Sequence, residues 1–543
     1  MSDTPNAYKN LEHRGLHKGL GPAQESWASL AAQPWDLIVI GGGITGAGVL
    51  REAARCGLRA LLIEQQDFAW GTSSRSSKMV HGGLRYLGQG DYTLTRHSLL
   101  ERERLLKEAP GLVERMGYYF TLRQQKSPPA WAVKILLWLY DRIAGIRDHR
   151  RIPLPALRRK FPGIATEGLK DCFYYTDAVT DDARLVMRTL QEAVDDGGTA
   201  INYARAEKLL LDSDGKVQGC SVRSSVSNEC IDIKASAVVN ATGAWADELR
   251  NQLTSEKRIR PLRGSHLVIA QERLPVSSAV TLMHPDDQRA MFIFPWEQRT
   301  VIGTTDLDHR APLNQEASID REEVNYLLKA ANDLFPEAEL QDEDIISTWS
   351  GVRPVIGSEK SKDPSKERRD HSVWRDGNLI TVSGGKLTTF RLIALDVLHA
   401  LKSVIDIPEI DTQAPVFSSS FSKSAHYPQC PAAIFEHLHA RYGNRVKSLL
   451  QNASEQDLTP IADTSITIAE CRWILQHEAV AHLDDFMLRR TRLGQLLKQG
   501  GIDLLPLLKA DCMRLMNWSE QCWQDEVQRY QSIWQQHYSL PTA

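Results

Sequence analysis

Surplus charge, paired cysteines and a membrane-length apolar run are all missing from this sequence. Its 65 Lys and Arg stand against 68 Asp and Glu, a formal net charge of −3. Bulk binding to nucleic acid draws on a basic surplus, so no nucleic acid is expected among the partners. The eight cysteines are scattered, with no CxxC pair and no Cys/His cluster at ligand spacing. A structural metal and a redox disulfide are therefore not expected, and a reducing cytosolic setting fits. The N-terminal stretch lacks the apolar core of a secretory signal. The longest apolar stretch, AWAVKILLWLYDRIAGI at 130–146, is broken by Lys134, Asp141 and Arg142. It is too short and too charged to span a bilayer, though it could lie on one.

The 543 residues, 42% hydrophobic and 24% charged, have the composition of a globular protein of several domains. Residues 1–34 read as a polar, partly ordered extension. From Asp36 the pattern turns to strand (DLIVI), glycine turn, amphipathic helix (ITGAGVLREAARCG) and strand (LRALLIE). Short apolar strands then alternate with helices to about residue 405, among them SAVVNATG, SHLVIA, AMFIFPW and NLITVSGG. The stretch 357–372 is a charged loop. Residues 406–543 read as a separate helical domain. CRWILQHEAVAHLDDFMLRRTRLGQLL is taken as one helix, and the tail as another with Trp523, Val527, Tyr530 and Trp534 on one stripe.

Gly41, Gly43 and Gly46 form G-x-G-x-x-G between the first strand and its helix. The first glycine makes the tight turn, the second admits a pyrophosphate, and the third lets helix and strand pack closely. The helix N-terminus faces the phosphates with its positive end. Glu64 closes the next strand, where a carboxylate can accept from a ribose hydroxyl. That acid suits NAD or FAD rather than NADP. No second such motif follows, so a bound flavin would take its electrons directly from a small molecule.

GTSSRSSKMVHGGLRYL (71–87), RGSHLV (263–268), IGTTD (302–306), WSGVRPVI (349–356) and SGGKLTTFR (383–391) occur in this order. With DLIVIGGGITGAG they resemble the FAD-dependent glycerol-3-phosphate dehydrogenases, relatives of the D-amino-acid oxidase group. HEAVAHLDDFMLRRT also looks like that family's end domain. The resemblance implies an α/β plus α fold. A Rossmann-like FAD-binding domain and an antiparallel-sheet substrate domain would interleave within residues 35–405, followed by a helical C-terminal domain. It implies oxidation of sn-glycerol 3-phosphate to dihydroxyacetone phosphate, with hydride transfer to flavin N5 and electrons passed to a membrane quinone.

Such a substrate carries a phosphate dianion and a secondary alcohol, so the site needs fixed cations and a base. Arg85, Tyr86 and Arg353 are assigned to substrate binding, Arg353 nearer the reacting oxygen. His266 is the candidate base, with His81 as competitor. Lys386, opening an apolar helical run, stabilises reduced flavin or touches the substrate phosphate. Ser73, Ser74 and Lys78, with the Ser76–Ser77 pair, are read as donors to the pyrophosphate or ribityl chain. His81, Gly82 and Gly83 are read as bringing the backbone against the flavin ring. Thr242, Gly243, Gly384 and Gly385, together with Asn240 and Asp306, frame the cofactor.

The stretch 129–160 joins its apolar segment to Arg147, Arg150, Arg151, Arg158, Arg159 and Lys160. That combination suits an anionic membrane surface as well as an ordinary buried helix with a solvated loop. The expected location is cytoplasmic, peripheral on the inner face of the cytoplasmic membrane, with a second copy of the chain counted among the partners. Competing readings are an oxygen-reducing glycerol-3-phosphate oxidase or another flavoenzyme of that fold, a flavoprotein without turnover, and an NAD-linked dehydrogenase.

Overall fold

The computed structural model describes residues 27–123, 128–357, 370–418, 427 and 430–541. Most of the N-terminal extension and of the charged stretch 357–372 lie outside these residues. The described end of the extension is a helix, Trp27–Ala32, tied to the first strand. Leu30 is buried and its carbonyl accepts from Trp35 Nε1 at 3.0 Å.

The short aliphatic runs assemble into a parallel sheet. Its order is Leu379–Gly384, Cys230–Asn240, Trp35–Ile40, Ala60–Ile63 and Thr199–Ile201. Helices cover one face of these strands, and the hairpin Ala204–Leu211/Val217–Ser224 with Leu30 covers the other, so nearly every side chain is buried and DLIVI and ALLI show no alternation. His371–Asp376 adds an antiparallel edge. The hairpin of Ala204–Leu211 and Val217–Ser224 extends from the start of Cys230–Asn240. The helix Ile44–Arg55 packs between Asp182–Asp195 and Phe390–Leu401. Strands from the chain's beginning, middle and residue 380 thus meet in one layer.

A ten-stranded sheet faces it. This sheet is antiparallel, as the resemblance implies, except for one pair: Val113–Arg123 and Ala279–Met283 run parallel, Ala279 opposite Tyr118. Strands Ile259–Ala270 and Ile345–Ile356 pair over their length, setting Leu262 opposite Arg353, Gly264 opposite Gly351 and His266 opposite Trp349.

Beyond Leu401, every helix or strand among the described residues is helical. The segment read as one helix is broken into Ile468–His477, a wide turn Asp485–Arg490, and Leu493–Leu496. Ala479 and Arg492 take left-handed backbone (φ 50° and 63°), which an α-helix cannot contain. The break turns charges inward. Arg490 grips Asp67 through two nitrogens at 2.7 and 2.8 Å, and Arg489 reaches the same carboxylate at 2.5 Å. Arg492 meets Asp181 and Asp182 at 2.8 and 2.5 Å. One apolar cluster also joins Trp473, Trp523 and Tyr530 of these helices to Tyr118, Phe294 and Trp349 of the ten-stranded sheet.

Candidate active site

A cavity of about 1240 Å³ is lined from both sheets. Its volume exceeds the few hundred cubic ångströms that a small substrate needs, leaving room for a dinucleotide and a second ligand. At one end Gly41, Gly43 and Ile44 present the start of the first long helix. Gly41 (φ 115°) passes so close to Ala241 that a Cβ would lie 2.6 Å from that carbonyl. Gly46 does not line the cavity. A Cβ there would stand 1.8 Å from the Gly41 carbonyl oxygen, so it sets helix against turn. Glu64 accepts the Gly42 amide at 2.6 Å and the Gln66 amide at 2.9 Å. Burial pushes its carboxyl upward, and those two amides hold it down in part. Ser73 Oγ accepts the Ile44 amide at 3.0 Å and can donate its own proton to a phosphate. Thr242 is held by Asn240 Oδ1 at 2.7 Å, and the Gly243 carbonyl accepts from Ser383 Oγ at 3.1 Å.

Cations from separate parts of the chain line the same space. Two of them meet the Tyr86 ring, with Lys386 Nζ 3.8 Å and Arg85 Cζ 5.5 Å from its centroid. Lys386 also donates to Ser98 Oγ at 3.1 Å. It follows Gly384 and Gly385 (φ 80° and 78°), a left-handed pair that turns the strand into the next helix. His81 lines the cavity too, its backbone exchanging hydrogen bonds with Thr388 Oγ1 at 3.2 and 3.3 Å. Arg353 folds back over Gly264, where a Cβ would stand 2.5 Å from its Nη2. It donates to Asp306 and Thr304, both at 3.1 Å.

Four of the residues read from sequence lie behind the wall. Ser74 is buried, and its carbonyl accepts from Lys78 Nζ at 2.8 Å. Lys78 is fully buried, paired with Asp182 at 2.8 Å and seated over the Trp296 and Trp349 rings. Burial and the Arg492 charge bring its ammonium down to about 8, against the pull of Asp182. Its charge is spent on that carboxylate, which corrects the reading of Lys78 as a cofactor donor. Gly82 likewise serves packing: its amide donates to Asp177 at 3.0 Å, and a Cβ would strike Leu99 and Tyr140. His266 is buried against Trp349, with ring centroids 4.9 Å apart, and reaches the cavity wall through Ser77. Asp182 stands more than a hundred residues from Lys78, so no local pattern could have announced their pairing. Arg289, whose Nη1 donates to the Asp306 carbonyl at 2.9 Å, was missed for want of any motif around it.

A dinucleotide cradle roofed by a sheet of the same chain defines a flavoprotein oxidoreductase. Comparison with known proteins agrees. The model of the FAD dependent oxidoreductase family matches residues 36–394, and that of the C-terminal domain of alpha-glycerophosphate oxidase matches 412–522. Among curated relatives, the aerobic glycerol-3-phosphate dehydrogenase of Staphylococcus haemolyticus is 32% identical over 85% of this chain and 87% of its own. That of Staphylococcus epidermidis is 37% identical over 68% and 67%. The solved glycerol-3-phosphate dehydrogenase of Bacillus halodurans, complexed with FAD, superposes with a TM-score of 0.73 at 28% identity, covering 93% of this chain and 96% of that one. The chain belongs to the FAD-dependent oxidoreductases and, among them, to the family of the aerobic glycerol-3-phosphate dehydrogenases. FAD is its cofactor, and the glycine turn, Glu64 and Ser73 fit it.

The Gly46 contact gives a direct check on that cradle. Gly46→Ala is expected to yield protein that purifies with little flavin, because the turn must move to admit one methyl. The ratio of visible flavin absorbance to protein measures it.

Proposed function

We propose that the protein oxidises sn-glycerol 3-phosphate to dihydroxyacetone phosphate and passes the electrons to a membrane quinone. The observation that carries this reading is the convergence of Arg85, Lys386 and Arg353 on the cavity that also holds the dinucleotide cradle. A neutral substrate needs no such set, whereas a phosphate dianion needs fixed donors. Bound FAD supplies the hydride acceptor at N5. Arg85 and Lys386, both held against the Tyr86 ring, anchor the phosphate. Arg353, steadied by Asp306 and Thr304, orients the secondary alcohol, and His266 receives its proton. Purified protein should form dihydroxyacetone phosphate in step with reduction of an added quinone analogue. Stoichiometric hydrogen peroxide without quinone would point instead to an oxidase.

The membrane part of the reading draws on the helix Ala130–Ala144. Trp131, Ile135 and Trp138 recur at steps of four and three and are 67%, 57% and 54% exposed, an apolar stripe that no packing among the described residues accounts for. Val133 and Leu136 of the same helix line the cavity. Exposed Lys134, Arg142 and Arg147 add charge suited to anionic headgroups. No helix among the described residues is long and apolar enough to cross a membrane, so contact through this stripe would be peripheral, on the cytoplasmic face. Trp131→Asp with Trp138→Asp is expected to abolish sedimentation with anionic vesicles while flavin content stays unchanged. Undiminished vesicle binding would remove this helix from the reading.

A further inference from the structure

His266 sits behind the cavity wall, and one side chain spans the gap. Ser77 lies on the wall, with its Oγ 2.9 Å from His266 Nε2. We propose that Ser77 is a catalytic residue, its hydroxyl taking the proton of the substrate alcohol as it gives its own to His266 Nε2. The proposal rests on the oxidation described above and assigns its proton path. The alcohol O–H bond breaks and a new O–H bond forms on Ser77. The original Ser77 O–H breaks, and an N–H bond forms on His266. Serine ends as it began, and the electron pair of the carbinol C–H bond leaves as hydride to the cofactor.

Three features prepare this pair. The imidazole cannot swing toward the cavity: it stacks on Trp349 with 19° between planes, and a Cβ on Gly303 would lie 2.2 Å from the ring. Its Nδ1 is buried with no hydrogen-bond partner among the described residues, so the route to the cavity runs through Nε2. The loop carrying Ser77 is clamped on both sides. Ser76 donates to Asp182 through its amide and hydroxyl at 2.9 and 2.7 Å, and its carbonyl accepts from Trp349 Nε1 at 3.2 Å. Asp182 is in turn fixed by Lys78 and Arg492.

The charges facing His266 favour a neutral ring at rest. Burial first, then Arg353 and Lys78, hold its imidazolium well below the ordinary histidine range. Asp306 and Asp182 pair with those two cations rather than with the ring. Arg353 faces the alcohol, so the negative charge that develops on the substrate oxygen offsets one of the two opposing fields as the proton moves.

The test compares Ser77→Thr with Ser77→Val, which differ by one hydroxyl at equal volume. In anaerobic stopped flow, the valine variant is expected to reduce its flavin with sn-glycerol 3-phosphate about 10²-fold more slowly than the threonine variant, at similar substrate affinity. Resting-state ¹⁵N spectra of histidine-labelled protein supply a readout independent of turnover. The His266 Nε2 resonance should shift in the valine variant and stay near its original position in the threonine variant. Equal reduction rates in the two variants, or an unmoved Nε2 resonance, would overturn the relay. Wild-type flavin that sn-glycerol 3-phosphate fails to reduce would instead overturn the functional reading beneath it.

Discussion

Arg353→Ala is expected to lower kcat/KM for sn-glycerol 3-phosphate by about 10³-fold, equivalent to ~4 kcal/mol of lost transition-state stabilisation. The guanidinium is drawn over Gly264 and held by Asp306 and Thr304. It therefore meets its ligand with little further loss of side-chain freedom. Removing it leaves Asp306 on the cavity wall without that partner, facing an anionic substrate. Repulsion then adds to the lost attraction. Arg353→Lys keeps the charge but not the planar fork, so it should recover part of the loss. FAD content should stay unchanged in both variants, since the residues cradling the dinucleotide lie elsewhere along the cavity. Steady-state kinetics with a quinone analogue, alongside flavin quantification, checks each point. Unchanged kinetics would remove Arg353 from the site.

The second large effect concerns folding. Asp67→Ala is expected to lower the thermal unfolding midpoint by about 3–4 °C, reflecting a cost of ~3–5 kcal/mol for leaving a buried charge uncompensated. Asp67 is fully buried and accepts from Arg490 twice, from Arg489, and from Asn202 Nδ2 at 3.1 Å. Without it, Arg489 keeps Asp484 and Asp485, but Arg490 is left with Glu478, through its carbonyl and a longer 3.8 Å approach to its carboxylate. Burial alone would raise the Asp67 carboxyl, yet Arg490 and Arg489 outweigh it and hold it below the usual carboxylate range. The sign of the pH dependence follows. A depressed folded value contributes stability above the unfolded value, about pH 4, and that contribution fades as pH falls through the folded one. Thermal melts across the acid range should therefore show a shallower pH dependence for Asp67→Ala than for the wild type.

Local patterns in the sequence carried the cofactor half of this molecule. A strand, a glycine turn and a helix lie within twenty-odd residues, and Gly41, Gly43, Gly46 and Glu64 take positions that their neighbours dictate. The cavity cations were legible for a related reason: Arg85, Arg353 and Lys386 each sit in short motifs whose glycines mark a tight approach. What stayed hidden depends on distant pairing. Lys78 resembles a phosphate ligand until Asp182 is placed beside it, and the Ser77–His266 contact joins residues 189 apart. The break after His477 escaped notice because DDFMLRR has helical composition, and only burial of its arginines against Asp67, and of Arg492 against Asp182, forces another path. The helix Ala130–Ala144 was visible, but which of its faces is exposed could be seen only once Val133 and Leu137 were packed.

The central claim is that one cavity brings a phosphate-bearing alcohol to FAD, and anaerobic titration of the flavin tests it most directly. Sn-glycerol 3-phosphate should bleach the oxidised flavin spectrum fully at stoichiometric addition, while glycerol at the same concentration leaves it unchanged. A flavin that stays oxidised with sn-glycerol 3-phosphate, or that glycerol reduces equally well, would contradict the account.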